Sequence, residues 1–91
     1  MNAKEKFFEL LAHVPSVEKF WDKGKSELDV DLFESSFSVI SSGELQMAKF
    51  FAAILFNDNE RYGFDLIDAV SKVDTSHRKL IMEWIARPFW P

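Results

Sequence analysis

The stretch GELQMAKFFAAILF, residues 43–56, constrains the fold of this chain more than any other segment. From Leu45 onward its only polar residues are Gln46 and Lys49. A helix that is apolar on nearly every side has to be covered by other elements. We therefore predict a buried helix over residues 43–56 at the centre of the fold.

Local signals predict where this helix begins and ends. Ser41 and Glu44 have the S-x-x-E spacing of a capping box, which indicates a start near Gly43. The sequence NDN, residues 57–59, follows the last apolar residue and is typical of a helix end.

The rest of the chain also has mainly helical periodicity. Apolar residues recur at helical spacing through most of it. The predicted helical segments are residues 3–13, a short turn over 16–23, 31–42, 60–73 and 76–86. We predict one all-α domain over residues 1–91, a small bundle of four to five helices around the buried central helix.

Capping residues predict two further helix starts, and one segment fits both a helix and a strand. Asp31 and Glu34 also have capping-box spacing, and Asp74 or Thr75 is expected to cap the last helix. The serine-rich residues 35–42 equally suit a short strand, since apolar residues alternate there with serines. Because the sequence offers no second strand to pair with it, a helix is favoured.

Composition indicates a cytosolic protein. The chain has no cysteine, so disulfides and thiolate chemistry are excluded and a reducing compartment is expected. The longest apolar run, residues 50–56, is far shorter than the roughly 20 residues of a membrane span. Charged residues interrupt the N-terminus before any run of signal-peptide length. A net charge of −4 is too weak for a nucleic-acid mimic.

The sequence contains no complete motif for catalysis or for metal binding. The sequence DVDLF begins like a calcium loop at Asp29 and Asp31, but Phe33 occupies the next ligand position. His13 and His77 lack a partner at zinc-ligand spacing. No serine lies in a nucleophile motif. We expect no catalytic residues, no metal, no cofactor and no small-molecule substrate.

The segment over residues 62–87 has the outline of a helix-turn-helix. Arg78 and Lys79 would lie near the start of its second helix, where base contacts are made. The preceding helix, however, carries Asp65 and Asp68, and phosphate contacts supply much of the affinity of such domains. Nucleic-acid binding is therefore the alternative function rather than the favoured one.

Aromatic content and charge placement favour a protein contact. The chain holds ten Phe, three Trp and one Tyr, more rings than a small core readily absorbs. The candidate partner-binding residues are Glu27, Asp29, Asp31, Glu34, Phe89 and Trp90. We predict a small cytosolic protein-interaction or regulatory module without intrinsic catalysis. Its partner would be another protein or a second copy.

The last six residues, ARPFWP, raise a choice between two structures. Pro88 prevents the helix from continuing, so Phe89 and Trp90 either fold back or project into solvent. Folding back would cover one end of the bundle near Trp84 and the first helix. Projection would make the two rings an exposed docking peptide. Folding back is the favoured expectation, because a small core needs every ring it can recruit.

Overall fold

The computed structural model describes residues 1–22, 24–25 and 27–91. The helices are α1 (Ala3–Leu11), α2 (Pro15–Glu18), α3 (Val30–Ser35), α4 (Ser42–Phe56), α5 (Leu66–Lys72) and α6 (Thr75–Ala86). A 3-10 turn, Ser36–Ser38, follows α3. Strands β1 (Trp21–Asp22) and β2 (Glu27–Leu28) pair antiparallel between α2 and α3. The described residues thus form a mainly helical fold with six helices and one small hairpin.

The hairpin is where the expected all-α fold and the structure differ. The helical turn predicted over residues 16–23 ends at Glu18, and its last position lies outside the described residues. Trp21 then pairs with Leu28, and the Asp29 amide donates to the Phe20 carbonyl at 2.8 Å. Strands of two residues are too short to produce an alternating pattern, so the sequence carried no signal for them.

The segment predicted as a helix over residues 31–42 is divided. Asp29, not Asp31, caps α3, since its carboxylate accepts from the Leu32 amide at 3.1 Å. The hydroxyl of Ser36 donates to the Phe33 carbonyl at 2.7 Å. Serine hydroxyls that bond to carbonyls of the preceding turn compete with regular helix geometry. Residues 36–41 are consequently neither a continued α-helix nor a strand, since the chain tightens into the 3-10 turn after Ser35.

The boundaries of α4 are confirmed. Ser41 Oγ accepts from the Glu44 amide at 3.2 Å, and Glu44 Oε1 accepts from the Ser41 amide at 3.2 Å, which completes the capping box. The hydrogen bond from Ser41 lowers the pKa of the Glu44 carboxyl. At the other end Asn57 adopts a left-handed conformation with φ 51°, the usual geometry of a helix C-terminus.

The fifth predicted helix begins later than expected. Instead of residues 60–73, α5 covers only Leu66–Lys72. Gly63 has φ 70°, a conformation that interrupts a right-handed helix. Asp65 Oδ1 then accepts from the amides of Ile67 and Asp68 at 2.9 and 3.1 Å, which defines the new start. The spacing of Asp68 and Lys72, four residues apart, predicts an ion pair on this helix, and the two side chains meet at 3.1 Å.

The last helix begins as expected. Asp74 caps α6 by accepting from the His77 amide at 2.9 Å, and this hydrogen bond holds the pKa of the Asp74 carboxyl below its usual value. Helical spacing predicts that Leu80, Ile81 and Ile85 share the inner face of this helix. Leu80 and Ile81 are buried, but Ile85 is 50% exposed, so the prediction was wrong for Ile85.

Much of the core consists of aromatic rings around α4. Seven residues of α4 are buried: Gln46, Met47, Ala48, Phe50, Phe51, Ala52 and Ile54. Phe51 is 0% exposed, with its ring centroid 5.8 Å from that of Phe7 and 6.5 Å from that of Trp21. The apolar pattern of residues 43–56 predicts that Leu55 is almost fully buried, but it is only partly buried and packs against this core.

The start of α4 lies against the end of α5. A Cβ atom added to Gly43 would lie 3.1 Å from the backbone carbonyl oxygen of Lys72. The two helices approach this closely only because residue 43 has no side chain. The radius of gyration, 12.1 Å, equals the roughly 12 Å expected of a compact chain of this length.

The C-terminal segment folds back, as expected. The indole Nε1 of Trp84 donates to the Phe89 carbonyl at 2.9 Å. The Trp90 ring meets the Trp84 ring edge-on, with centroids 5.6 Å apart. Phe89 packs against the core, while Trp90 stays 51% exposed. No helix among the described residues has the length and hydropathy needed to cross a bilayer.

Candidate functional site

A cleft of about 320 Å³ opens beside the C-terminal segment. The second half of α4 forms its base, and the loop after α4, the start of α5, α6 and the tail surround it. Its lining residues are Phe50, Ala53, Ile54, Asn57, Asp58, Asn59, Phe64, Leu66, Trp84 and Trp90. We call this feature the aromatic cleft.

Four rings give the aromatic cleft its shape. Phe50 is almost fully buried, and its ring lies 5.8 Å from the Trp84 ring at an interplanar angle of 87°. The rings of Trp84 and Trp90 meet at 83°. Phe64 lies 5.7 Å from Phe50. Edge-to-face contacts of this kind are favourable and hold the rings in fixed relative orientations.

The loop after α4 supplies the polar side of the aromatic cleft. Asp58 Oδ1 accepts from the Glu60 amide at 2.9 Å, and the Asn59 carbonyl accepts from the Phe64 amide at 2.8 Å. Asp58 is the one charged residue among those that line the cleft. Arg61, the nearest cation along the chain, has its guanidinium carbon 3.9 Å from the centroid of the Phe56 ring.

Several exposed apolar side chains lie on the elements that surround the aromatic cleft. Met82 and Ile85 are three residues apart on α6 and therefore share one side of that helix. The exposed large apolar residues of α5, α6 and the tail are Leu66, Ile67, Met82, Ile85 and Trp90. We call these five residues the apolar margin.

The structure divides the predicted partner-binding residues into two groups. Glu27 and Asp31 are exposed on β2 and α3, whereas Asp29 caps α3. Glu34 Oε2 accepts from the Tyr62 hydroxyl at 2.8 Å, and burial of Tyr62 raises the pKa of its phenol. None of these four acids lines the aromatic cleft within the described part of the chain.

The remaining predicted site residues lie on α6 and after it. Trp90 lines the aromatic cleft, and Phe89 packs against the core instead. Arg78 is exposed, and its guanidinium makes two hydrogen bonds at the surface: Nη2 donates to Thr75 Oγ1 at 3.1 Å and Nη1 to the Val70 carbonyl at 3.5 Å. Lys79 is exposed.

Sequence reasoning missed Asp58, Phe64 and Leu66 as site residues. Phe64 was expected within a helix over residues 60–73, but it lies in the loop that precedes α5. The sequence NDN indicated a helix end without indicating what the following loop would face. Among the described residues, no cluster of three or more His, Cys, Asp or Glu side chains is arranged to hold a metal ion.

Comparison of the chain with protein-family models, with curated proteins and with solved structures finds no match. Function therefore has to be inferred from the residues and the geometry of this chain.

Proposed function

We propose that this protein is a small cytosolic interaction or regulatory module without catalysis of its own, and that the apolar margin is its contact surface. One observation carries the proposal. Of the eight exposed large apolar side chains in the described residues, five belong to α5, α6 and the tail. Apolar side chains exposed singly are common, but an exposed apolar cluster usually marks a binding site.

The composition of the apolar margin suits a protein partner. Trp and Met are enriched at protein interfaces, and a Trp often contributes much of the binding energy. Trp90 is the most important residue of the proposed surface, because its half-exposed ring packs edge-on against Trp84. A ring that is already ordered loses little conformational entropy on binding.

The same proposal covers the domain organisation and the kind of partner. We propose that residues 1–91 act as one domain built around α4, with another protein or a second copy as partner. The exposed acids Glu27 and Asp31 would form a separate acidic part of the contact surface. Charges at the edge of an interface mainly affect association rate and partner choice.

We expect the double substitution Ile67→Ser and Ile85→Ser to weaken partner binding without unfolding the protein. Both side chains are largely exposed, at 75% and 50%, so little buried area is lost. Loss of two apolar contacts at an interface centre should weaken binding at least tenfold, about 1.4 kcal/mol or more. Quantitative affinity capture from the native source, with sedimentation velocity for self-association, would measure the change.

Val39→Ser is the matched control for this experiment. Val39 is 80% exposed but lies before α4, outside the apolar margin. It should retain every partner that wild type captures and the same sedimentation behaviour. If the double variant also retains them, the apolar margin is not the contact surface.

A helix-turn-helix-like nucleic-acid binder is the alternative, favoured by the short connection between α5 and α6. Only Val73 and Asp74 separate the two helices. Against it, the Arg78 guanidinium is engaged by Thr75 and by a carbonyl of α5. We therefore expect no duplex DNA binding at low salt, measured by fluorescence anisotropy. A complex that weakens steeply with added salt and is lost in Arg78→Ala and Lys79→Ala would establish the alternative instead.

A further inference from the structure

We propose that the aromatic cleft binds a quaternary ammonium group, a cation whose surface consists of methyl groups. This goes beyond the protein contact proposed above and does not rest on it, although Leu66 and Trp90 belong to both surfaces.

The rings provide the attraction. A cation close to the face of an aromatic ring is attracted by the ring quadrupole, and tryptophan is the most effective ring. The rings of Trp84 and Trp90 both line the cleft, with their planes 83° apart. Phe50 also lines it and packs against Trp84 at 87°, but it is only 2% exposed, so the two tryptophans supply most of the accessible ring surface. Aromatic walls at right angles can contact a roughly spherical ammonium group from several sides at once.

The charge of the lining favours a cation over an anion. Asp58 is the one charged lining residue, and its hydrogen bond from the Glu60 amide holds the carboxylate in place. The polar hydrogen of Trp84, which could have served an anion, is already donated to the Phe89 carbonyl. Arg61 lies over the Phe56 ring and is not among the lining residues.

The size and the apolar floor favour a methylated group over a bare ammonium ion. The cleft volume of about 320 Å³ is at the lower end of the range of small-ligand sites, which begins near 300 Å³. Phe50 and Ile54 are buried and offer no hydrogen-bond acceptor to replace lost water. Against this floor a primary ammonium would lose water with no acceptor to replace it and could be solvated only from the polar side formed by residues 57–59, whereas methyl groups match the apolar floor.

The experiment compares choline with 3,3-dimethyl-1-butanol, its uncharged isostere. Each is titrated into the intact protein labelled with nitrogen-15, and amide and indole signals are followed by NMR. We expect choline to bind with a millimolar dissociation constant, about tenfold tighter than the alcohol. The Trp90 indole and the amides of residues 57–59 should shift. The indole of Trp21, which does not line the cleft, should not shift.

Two substitutions test the roles of charge and ring. Asp58→Asn keeps an oxygen for the Glu60 amide and removes the charge, so choline should bind about fivefold more weakly and the alcohol unchanged. Trp90→Leu should weaken choline binding by a similar factor. Asp58→Asn alters an exposed residue and should fold normally, so the test does not depend on the tryptophan variant.

A further arm distinguishes two sources of the same group. N-acetyl-trimethyllysine methylamide represents a methylated lysine of a protein, and choline represents a free small molecule. Tighter binding of either one supports the proposal and identifies the source. Equal affinity of choline and the alcohol, shifts confined to residues outside the cleft, or no binding of either cation would overturn it.

Discussion

Replacing Phe51 with alanine is expected to lower the free energy of unfolding by about 3–5 kcal/mol. The ring is 0% exposed and contacts the rings of Phe7, Trp21 and Phe50. Its removal would leave a cavity that three neighbouring rings, themselves held by other contacts, cannot close. Urea unfolding followed by circular dichroism would measure the loss, which is a large fraction of the stability of a small domain.

Phe56→Ala is the matched control. Phe56 belongs to the same helix but is only partly buried, and Arg61 covers its ring. Its truncation should therefore cost clearly less than that of Phe51, on the order of 1–2 kcal/mol. If Phe51→Ala costs less than about 1 kcal/mol, or no more than Phe56→Ala, the ring cluster is not the main source of stability.

Deleting residues 88–91 is expected to lower the melting temperature. The deletion removes the carbonyl that accepts from Trp84 Nε1, the packing of Phe89 on the core and the ring of Trp90. We estimate a loss of about 1–3 kcal/mol, and each kcal/mol corresponds to roughly 4–8 °C in a domain of this size. Thermal unfolding by circular dichroism would measure the change.

Trp90→Ser separates the ring from the backbone contact. The Phe89 carbonyl is retained in this variant, so the hydrogen bond from Trp84 should persist and the melting temperature should fall less than in the truncated protein. An unchanged melting temperature after truncation, together with loss of a partner or of self-association, would show that the tail is a docking peptide and contributes nothing to the fold.

Local sequence signals succeeded where the interacting atoms are close along the chain. The capping box of Ser41 and Glu44 and the pair between Asp68 and Lys72 each join residues three or four apart. The cap at Asp74 is of the same kind. Such contacts depend little on the rest of the fold, which is why spacing alone predicts them.

The predictions that failed concern helix starts that local spacing alone does not determine. Asp29 caps α3 in place of Asp31, at the point where the Asp29 amide also bonds back to Phe20 in the hairpin. Gly63 and Asp65 delay α5, although the helix was expected to begin at residue 60. In each case several starts were locally acceptable, and a contact with another part of the chain, or one backbone angle, selected among them.

The aromatic cleft could not be predicted at all. Its rings come from α4, from the loop before α5, from α6 and from the tail, so it exists only once these segments have packed. The sequence did indicate that the chain turns at Pro88 and that the following rings meet Trp84. It did not indicate that Phe89 would pack inward while Trp90 stayed half-exposed, because that depends on which side the chain turns toward.

The contact between Gly43 and the Lys72 carbonyl has a consequence for how this fold can diverge in evolution. Even an alanine there would force the backbone of α4 or α5 to shift by a few tenths of an ångström. A Cβ atom added to Gly24, by contrast, would meet one atom of the described residues, Asp22 Oδ1, at an ordinary van der Waals distance of 3.4 Å. Homologues that keep this packing should therefore retain glycine at the position of Gly43 while varying at that of Gly24. Homologues in which both Gly43 and the last residues of α5 are replaced should be those in which α4 and α5 no longer pack this closely.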